Sequence, residues 1–348
     1  MSIAGRVLLM SRRLPALLLA VPATALVLSG CAAGGAGASG SGGQAAGLAI
    51  VASTNVYGDI AQTIGGDDVT VTSIIDSVAK DPHSYEATAQ DQLTVSTADV
   101  VIENGGGYDP FIDTLLDAAG GESVVVLNAS ELSGLIPGED GSGHAEEDHA
   151  EGEHAEGEEH AEGEAHAEGE HDHIEGFNEH VWYSIDAMDA LAHELAHELG
   201  ELDPDNAATY EDNYEAFAAD LGDVTTAAQA IAADHEGDGV AITEPVPLYL
   251  LESAGLVNRT PEAFSEAIEE GSDVSPAVLA DTLALFDGGD VSLLAYNEQT
   301  AGSETERVRE AAESADVPVV DFMETLPEGD TYVEWMTANL AAVSDALA

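Results

Sequence analysis

The sequence predicts an α/β chain made of two similar lobes, each built on a parallel sheet, joined by one long rigid helix. Three observations predict it. Short β-branched runs alternate with helical stretches from Gly47 onward, as parallel strands and their crossover helices do. The alternation occurs twice, and between the two sets lies an apolar stripe longer than an ordinary helix needs.

In the first set, strands are expected at 48–53, 69–75, 99–103 and 123–127, with helices near 56–64, 87–97 and 109–119. A further helix is expected over 185–200, where Leu191, Leu195 and Leu199 define the apolar side. Asp203-Pro204 then reads as an N-cap followed by proline at the first helical position. Beyond it, Tyr210, Tyr214, Phe217, Leu221, Val224, Ala228 and Ile231 recur at steps of four and three. A helix of about 30 residues spans roughly 45 Å. A coiled-coil seam has the same spacing, but a brace between two lobes needs no second copy, so a monomer is expected. The second set places strands at 239–243, 291–296 and 317–321, with helices near 246–254, 276–286, 303–315 and 331–347. The lobes are therefore 47–202 and 237–348, with the linking helix over 203–236.

Composition narrows the function. Hydrophobic residues make up 45% of the 348, enough for real cores. Against 68 Asp and Glu stand 7 Lys and Arg, a net charge of −61, which repels nucleic acid and anionic lipid headgroups and favours cations. Such an excess also fits adaptation to high salt. Cys31 is the only cysteine, which excludes an internal disulfide framework and a Cys-rich zinc ribbon.

The first 30 residues carry Arg6, Arg12 and Arg13, then an apolar run from Leu14 to Leu28, and no acidic residue. This is the pattern of an export signal, too short for a membrane span. It ends Leu28-Ser29-Gly30-Cys31, which resembles the lipobox of bacterial lipoproteins; that likeness implies lipidation at Cys31 and anchoring on the outer face of the cytoplasmic membrane. Residues 31–46, rich in Gly, Ala and Ser, read as a flexible tether.

An insertion over 138–176 interrupts the first lobe. His-Ala-Glu-Gly-Glu occurs four times, starting at His149, His154, His160 and His166, with His144 before it and His171 and His173 behind. With almost no large apolar residue it is expected to stay disordered without metal and to offer weak, exchangeable imidazole sites.

Ligands in open α/β sheets bind at the carboxyl ends of the strands. His83 falls there after the second strand, Glu244 directly after 240–243, and Glu324, with Asp321 nearby, after 318–320; His180 follows the insertion. Two imidazoles and two carboxylates suit a divalent metal, and two negative charges would neutralise it. Taken singly, each has a plainer role: a hydrogen-bonded loop histidine, a helix cap at Glu244, solvated acids at Asp321 and Glu324.

The motifs as an ordered set are more specific. Asp81-Pro82-His83-Ser84-Tyr85-Glu86, the run 101–111, Asn178-Glu179-His180-Val181-Trp182, the run 242–246, the run 295–300 and the run 324–329 resemble the metal-binding lipoproteins of ABC-type zinc and manganese importers. The resemblance covers about 48–347 apart from the insertion. It implies a metal held in the cleft between the lobes, with His83, His180, Glu244 and Glu324 in the four ligand positions and Asp321 as the competitor for the fourth. In that family the third ligand is often His in zinc carriers and Glu in manganese carriers, and the fourth is commonly Asp. The His-rich insertion is a feature of the zinc carriers. The implied partners are an ABC-type permease and its ATPase, and the implied cargo is Zn²⁺ before Mn²⁺. A surface metal buffer or adhesin acting through the His-rich segment is the alternative.

One motif points elsewhere. His193-Glu194-Leu195-Ala196-His197 matches the HExxH pattern of zinc proteases. No downstream protease signature accompanies it, and the plainer reading is the polar face of the 185–200 helix, so no enzyme is expected. His235, near the end of the long helix, suits the dipole there.

Overall fold

Two four-stranded sheets carry the fold, and both are parallel throughout. In this computed structural model the described residues are 47–348 apart from 78–79, 81, 83–84, 121–123, 139–173 and 175. The export signal, the tether, Cys31, His83 and the seven histidines from His144 to His173 lie outside them.

The first lobe runs β1 (Leu48–Thr54), α1 (Asn55–Gly65), β2 (Val69–Ile75), α2 (Ala89–Val95), β3 (Val100–Glu103), α3 (Phe111–Ala119), β4 (Val125–Asn128), α4 (Ala129–Ser133) and α5 (Ile185–Leu202). After α6 (Ala207–His235), the second runs β5 (Gly239–Ile242), α7 (Leu248–Ser253), β6 (Val257–Asn258), α8 (Glu262–Glu269), α9 (Pro276–Ala284), β7 (Leu293–Asn297), α10 (Ser303–Ser314), β8 (Val319–Phe322) and α11 (Tyr332–Leu347). Strand order is β2-β1-β3-β4 in one sheet and β6-β5-β7-β8 in the other, the same winding twice. Each sheet therefore has a switch point, between β1 and β3 and between β5 and β7, where crossovers leave toward opposite faces and open a crevice.

Both faces of each sheet are covered, so the strands read as apolar runs. Alternate residues serve different cores. Ile50, Ala52, Val100 and Ile102, with Val240, Ile242, Leu293 and Phe322, face one core shared by the two lobes. Val51 and Val101 face a separate core with Ile112 and Leu115. Ala241, Leu294 and Tyr296 face another with Phe264 and Val308.

The shared core is laid along α6. Its apolar stripe is buried at Tyr210, Phe217, Leu221, Val224, Ala228 and Ile231, with Tyr214 partly so. The helix packs on α1 and α5 of the first lobe and on α7 and α11 of the second. Its 29 residues give roughly 43 Å at 1.5 Å per residue. It starts later than Asp203-Pro204 suggests. Asp203 instead closes α5, its N–H donating to the Leu199 carbonyl, and its carboxylate accepts from the Asn206 amide (2.8 Å) and the Tyr210 hydroxyl (3.1 Å). The aspartate holds the corner between two helices, and Asn206 takes the N-cap position. The sequence reading also lacked α4, α8 and the two-residue β6.

Polar bonds close the same seam between lobes. The Asn55 amide donates to the Leu326 carbonyl (2.8 Å) and accepts from its N–H (3.0 Å). The Tyr332 N–H reaches Asp59 (2.8 Å), and its hydroxyl donates to the Trp182 carbonyl (2.7 Å). Tyr183 donates to the Met323 carbonyl (2.7 Å) and packs its ring against Trp335, 5.3 Å between centroids. Trp335→Ala is expected to cost about 3–5 kcal/mol, the range for an aromatic cut from a core. Because the core is shared, calorimetry of that variant should show both lobes melting in one transition at lower temperature; two separated transitions would mean the lobes fold independently.

Candidate metal centre

The second lobe brings two carboxylates to one amide. β5 ends at Ile242, and Thr243 stays paired to the sheet through its N–H and the Ala295 carbonyl (3.0 Å). The next residue, Glu244, is buried; its Oε2 accepts from the Asn297 amide (2.6 Å) and from the Thr300 hydroxyl. Glu324, two residues past β8 and also buried, accepts at Oε1 from the same Asn297 nitrogen (2.7 Å), while its N–H donates to Gln299 (2.7 Å). The carboxyl ends of β5 and β8 thus set two acids side by side, bridged by Asn297 at the end of β7. Glu244 does not cap α7, which starts at Leu248 without a side-chain cap.

The first lobe presents a buried imidazole. His180 is 1% exposed and precedes the 3₁₀ turn Val181–Tyr183. Its ring lies edge-on to Trp182 (5.1 Å) and Tyr108 (5.8 Å). The Tyr108 hydroxyl stands 3.5 Å from Glu324 Oε2, so one tyrosine touches both halves.

The run Glu103–Asp109 is the support beneath. Asp109 accepts from the N–H groups of Asn104 (2.7 Å) and Gly105 (2.9 Å), folding the loop after β3 back on itself. Asn104, held by the Tyr57 hydroxyl, donates to the Glu179 carbonyl (2.9 Å) immediately before His180. Glycine is needed at Gly105, whose φ is 70° and where a Cβ would lie 2.3 Å from the Asn128 amide.

Burial and crowding raise these acids. Burial first, then the charges of Asp109 and Asp113, push Glu103 up to about 7 despite the Asn128 amide bonded to it. Burial carries Asp109 to about 6 against the donors of Ser53, Asn104 and Gly105. On α8, burial followed by the charges of Glu179, Glu244 and Glu324 carries Glu269 to about 9. Glu269 Oε1 also lies 3.7 Å from His180 Nδ1. Glu269 has no signal in the sequence beyond its place on a helix that the sequence pattern does not predict.

His180, Glu244 and Glu324 therefore meet through Tyr108, Asn297 and Glu269. Among the described residues no three His, Cys, Asp or Glu side chains stand ready to hold an ion by themselves. Asp321 is exposed on β8, where Glu298 and Arg309 are its charged neighbours; Glu324, not Asp321, lies beside Glu244. His193 and His197 are exposed on α5, above buried Leu191, Leu195 and Leu199, and the His193 ring packs on Tyr214 at 5.0 Å. His235 ends α6 with Nδ1 2.9 Å from Asp238.

Two parallel-sheet lobes on one long helix, with polar side chains of both buried at their junction, define the fold of a solute-binding protein. The SBP FpvC from Pseudomonas aeruginosa in complex with Mn²⁺ has this fold, with TM-score 0.64 and 22% identity over 86% of this chain and 98% of that one. A crystal structure of ZnuA superposes with TM-score 0.61 and 19% identity over 87% and 99%. The sequence profile of ZnuA, the zinc-uptake complex component A, periplasmic, matches residues 50–346, and the chain belongs to that family. The family consists of solute-binding receptors, not enzymes. Among its relatives, the manganese ABC transporter substrate-binding lipoprotein scaA of Streptococcus gordonii is 24% identical over 320 residues, 86% of this chain and 89% of that protein. The manganese-binding lipoprotein MntA of Halalkalibacterium halodurans is 27% identical over 197 residues, 57% of this chain and only 53% of that protein, about half its length.

The raised acid at Glu103 makes stability depend on pH. Its folded value of about 7 lies above the ordinary 4.5, so between those values the folded protein holds a proton that the unfolded chain releases. That contribution is full below 4.5 and is lost as pH rises through 7. Glu103→Gln should therefore stabilise the protein by roughly 3 kcal/mol at pH 8 and scarcely at pH 4.5. Thermal melts at both values check it; an equal gain at both would count against the proton.

Proposed function

We propose that the chain is an extracytoplasmic receptor, lipid-anchored through Cys31, that captures Zn²⁺ and hands it to an ABC-type permease driven by its ATPase. The observation that carries this reading is the pairing of Glu244 and Glu324 on the Asn297 amide, with His180 of the other lobe linked to Glu324 through Tyr108. His180, Glu244 and Glu324 are the proposed ligands, with His83 as the fourth. Two carboxylates brought together in a buried site repel each other, and a divalent cation relieves that repulsion while two imidazoles complete a nitrogen–oxygen set.

The choice between zinc and manganese rests on chemistry. The curated relatives named above are manganese proteins, whereas the family is a zinc-uptake family. Affinity at a mixed nitrogen–oxygen site places Zn²⁺ above Mn²⁺, and the insertion adds seven histidines better suited to zinc. We assign those histidines to weak sites that raise the local zinc concentration near the junction.

Metal-binding calorimetry, with Zn²⁺ and Mn²⁺ in competition, tests the reading. One tight zinc site per chain is expected. His180→Ala or Glu244→Ala should weaken it by more than about 100-fold, since changes one shell further out already cost 10–100-fold. His193→Gln with His197→Gln should leave it unchanged. Deleting the insertion, 138–176, should lower the number of weakly bound ions and spare the tight one. Loss of the tight site on that deletion would favour a surface metal buffer, and preference for Mn²⁺ in competition would overturn the zinc assignment.

A further inference from the structure

Asn178 is bonded at both ends of its amide, and the two ends lie in different lobes. Its Nδ2 donates to the Pro245 carbonyl (3.0 Å), immediately after Glu244. Its Oδ1 lies 2.8 Å from His180 Nδ1 and accepts the His180 backbone N–H (3.2 Å). The Tyr249 hydroxyl of α7 donates to the Asn178 carbonyl (2.7 Å), holding the residue to the second lobe a second time. Turning the amide over would face nitrogen against a backbone N–H and oxygen against a carbonyl. Both contacts would become repulsive, so the orientation is determined by its partners.

From this geometry we infer that Asn178 is a positioning residue that fixes His180 in the Nδ1–H tautomer and leaves the lone pair on Nε2 for the metal. An acceptor facing Nδ1 requires a proton there. The Glu269 carboxyl at 3.7 Å lies on the same edge of the ring, a second oxygen facing the same nitrogen. The carbonyl that orients the Asn178 amide belongs to the residue after Glu244. The second lobe therefore sets the tautomer of the first lobe's ligand through one side chain. A shift of the Glu244-Pro245 segment would release the amide and loosen His180. This assignment rests on the proposed receptor reading, in which His180 and Glu244 are ligands.

Two measurements test it, one of which needs no metal. Nitrogen-15 histidine spectra of the metal-free protein should show His180 protonated at Nδ1, and Asn178→Leu should shift it toward the Nε2–H form. Asn178→Asp keeps an acceptor for the ring and should preserve the tautomer. In zinc titrations, Asn178→Leu should weaken binding by about 10–100-fold, and Asn178→Asp, which keeps the ring's acceptor but sets an oxygen against the Pro245 carbonyl, should weaken it by less than Asn178→Leu does. If Asn178→Leu misfolds by circular dichroism, the spectra of the parent and of Asn178→Asp still decide. An Nε2–H His180 in either would overturn the inference, as would undiminished zinc affinity in folded Asn178→Leu. A parent chain that binds neither Zn²⁺ nor Mn²⁺ would instead sink the receptor reading while leaving the tautomer measurable.

Discussion

The apolar seam along α6 is the constraint on which the junction depends. Phe217, Leu221 and Val224 of the helix lie in the same core as Ile60 of α1 and as Trp335 and Met336 of α11, so neither lobe has a private interior on that side. Opening the lobes would expose this core, at about 25 cal/mol for each Å² of apolar surface. The Asn55–Leu326 and Tyr332–Trp182 bonds would break with it. A wide hinge of the kind seen where two domains share only a strap is therefore costly. What remains free to adjust is local: the short segments after β5, β7 and β8 that carry Glu244, Thr300 and Glu324.

The polar junction is built on that seam with neutral donors. The Asn297 amide donates to both Glu244 and Glu324, the Thr300 hydroxyl donates to Glu244, and backbone N–H groups donate to Asp109. Neutral donors hold a carboxylate in place without cancelling its charge. The remaining repulsion is visible at Glu269, carried to about 9 by burial and by three neighbouring glutamates. The resulting potential favours any cation of the right size, and the chain's net charge of −61 extends the same sign of field outward.

Much of this was legible in the sequence, for physical reasons that can be named. Strands covered on both faces appear as unbroken β-branched runs, and 48–53, 69–75 and 99–103 agree with β1, β2 and β3 to within a residue. The stripe from Tyr210 to Ile231 is visible because one helix buries one face over about six turns. Glu244 and Glu324 stood out because ligand positions in parallel sheets follow strand ends. Less legible were residues whose role is relational. Asn297 matters because it lies between two acids that are 80 residues apart in the chain, and no spacing announces that. Asn178 and Glu269 act across the lobe boundary, which a one-dimensional pattern does not contain. Asp203-Pro204 misled because Asp203 ends the previous helix through its own backbone N–H to the Leu199 carbonyl, while its carboxylate accepts from Asn206 and Tyr210 instead of capping the next helix.

The two lobes repeat one winding yet bring opposite chemistry to the junction. From the first come an imidazole and aromatic rings, Tyr108 and Trp182, packed around His180, with one buried acid, Glu179, beside it. The second contributes acids. In the proposed site a divalent ion cancels the charge of Glu244 and Glu324 together, whereas a monovalent ion leaves one carboxylate uncompensated in a buried setting, where charge is expensive. Anions meet repulsion from the carboxylates with no compensating charge on His180 in its neutral form. In that proposed site the carboxylates would select for charge and His180 for softness, because nitrogen donors favour zinc-like ions over calcium and magnesium. Because the proposed ligands come from both lobes, recognition of the ion there would require the seam that joins them.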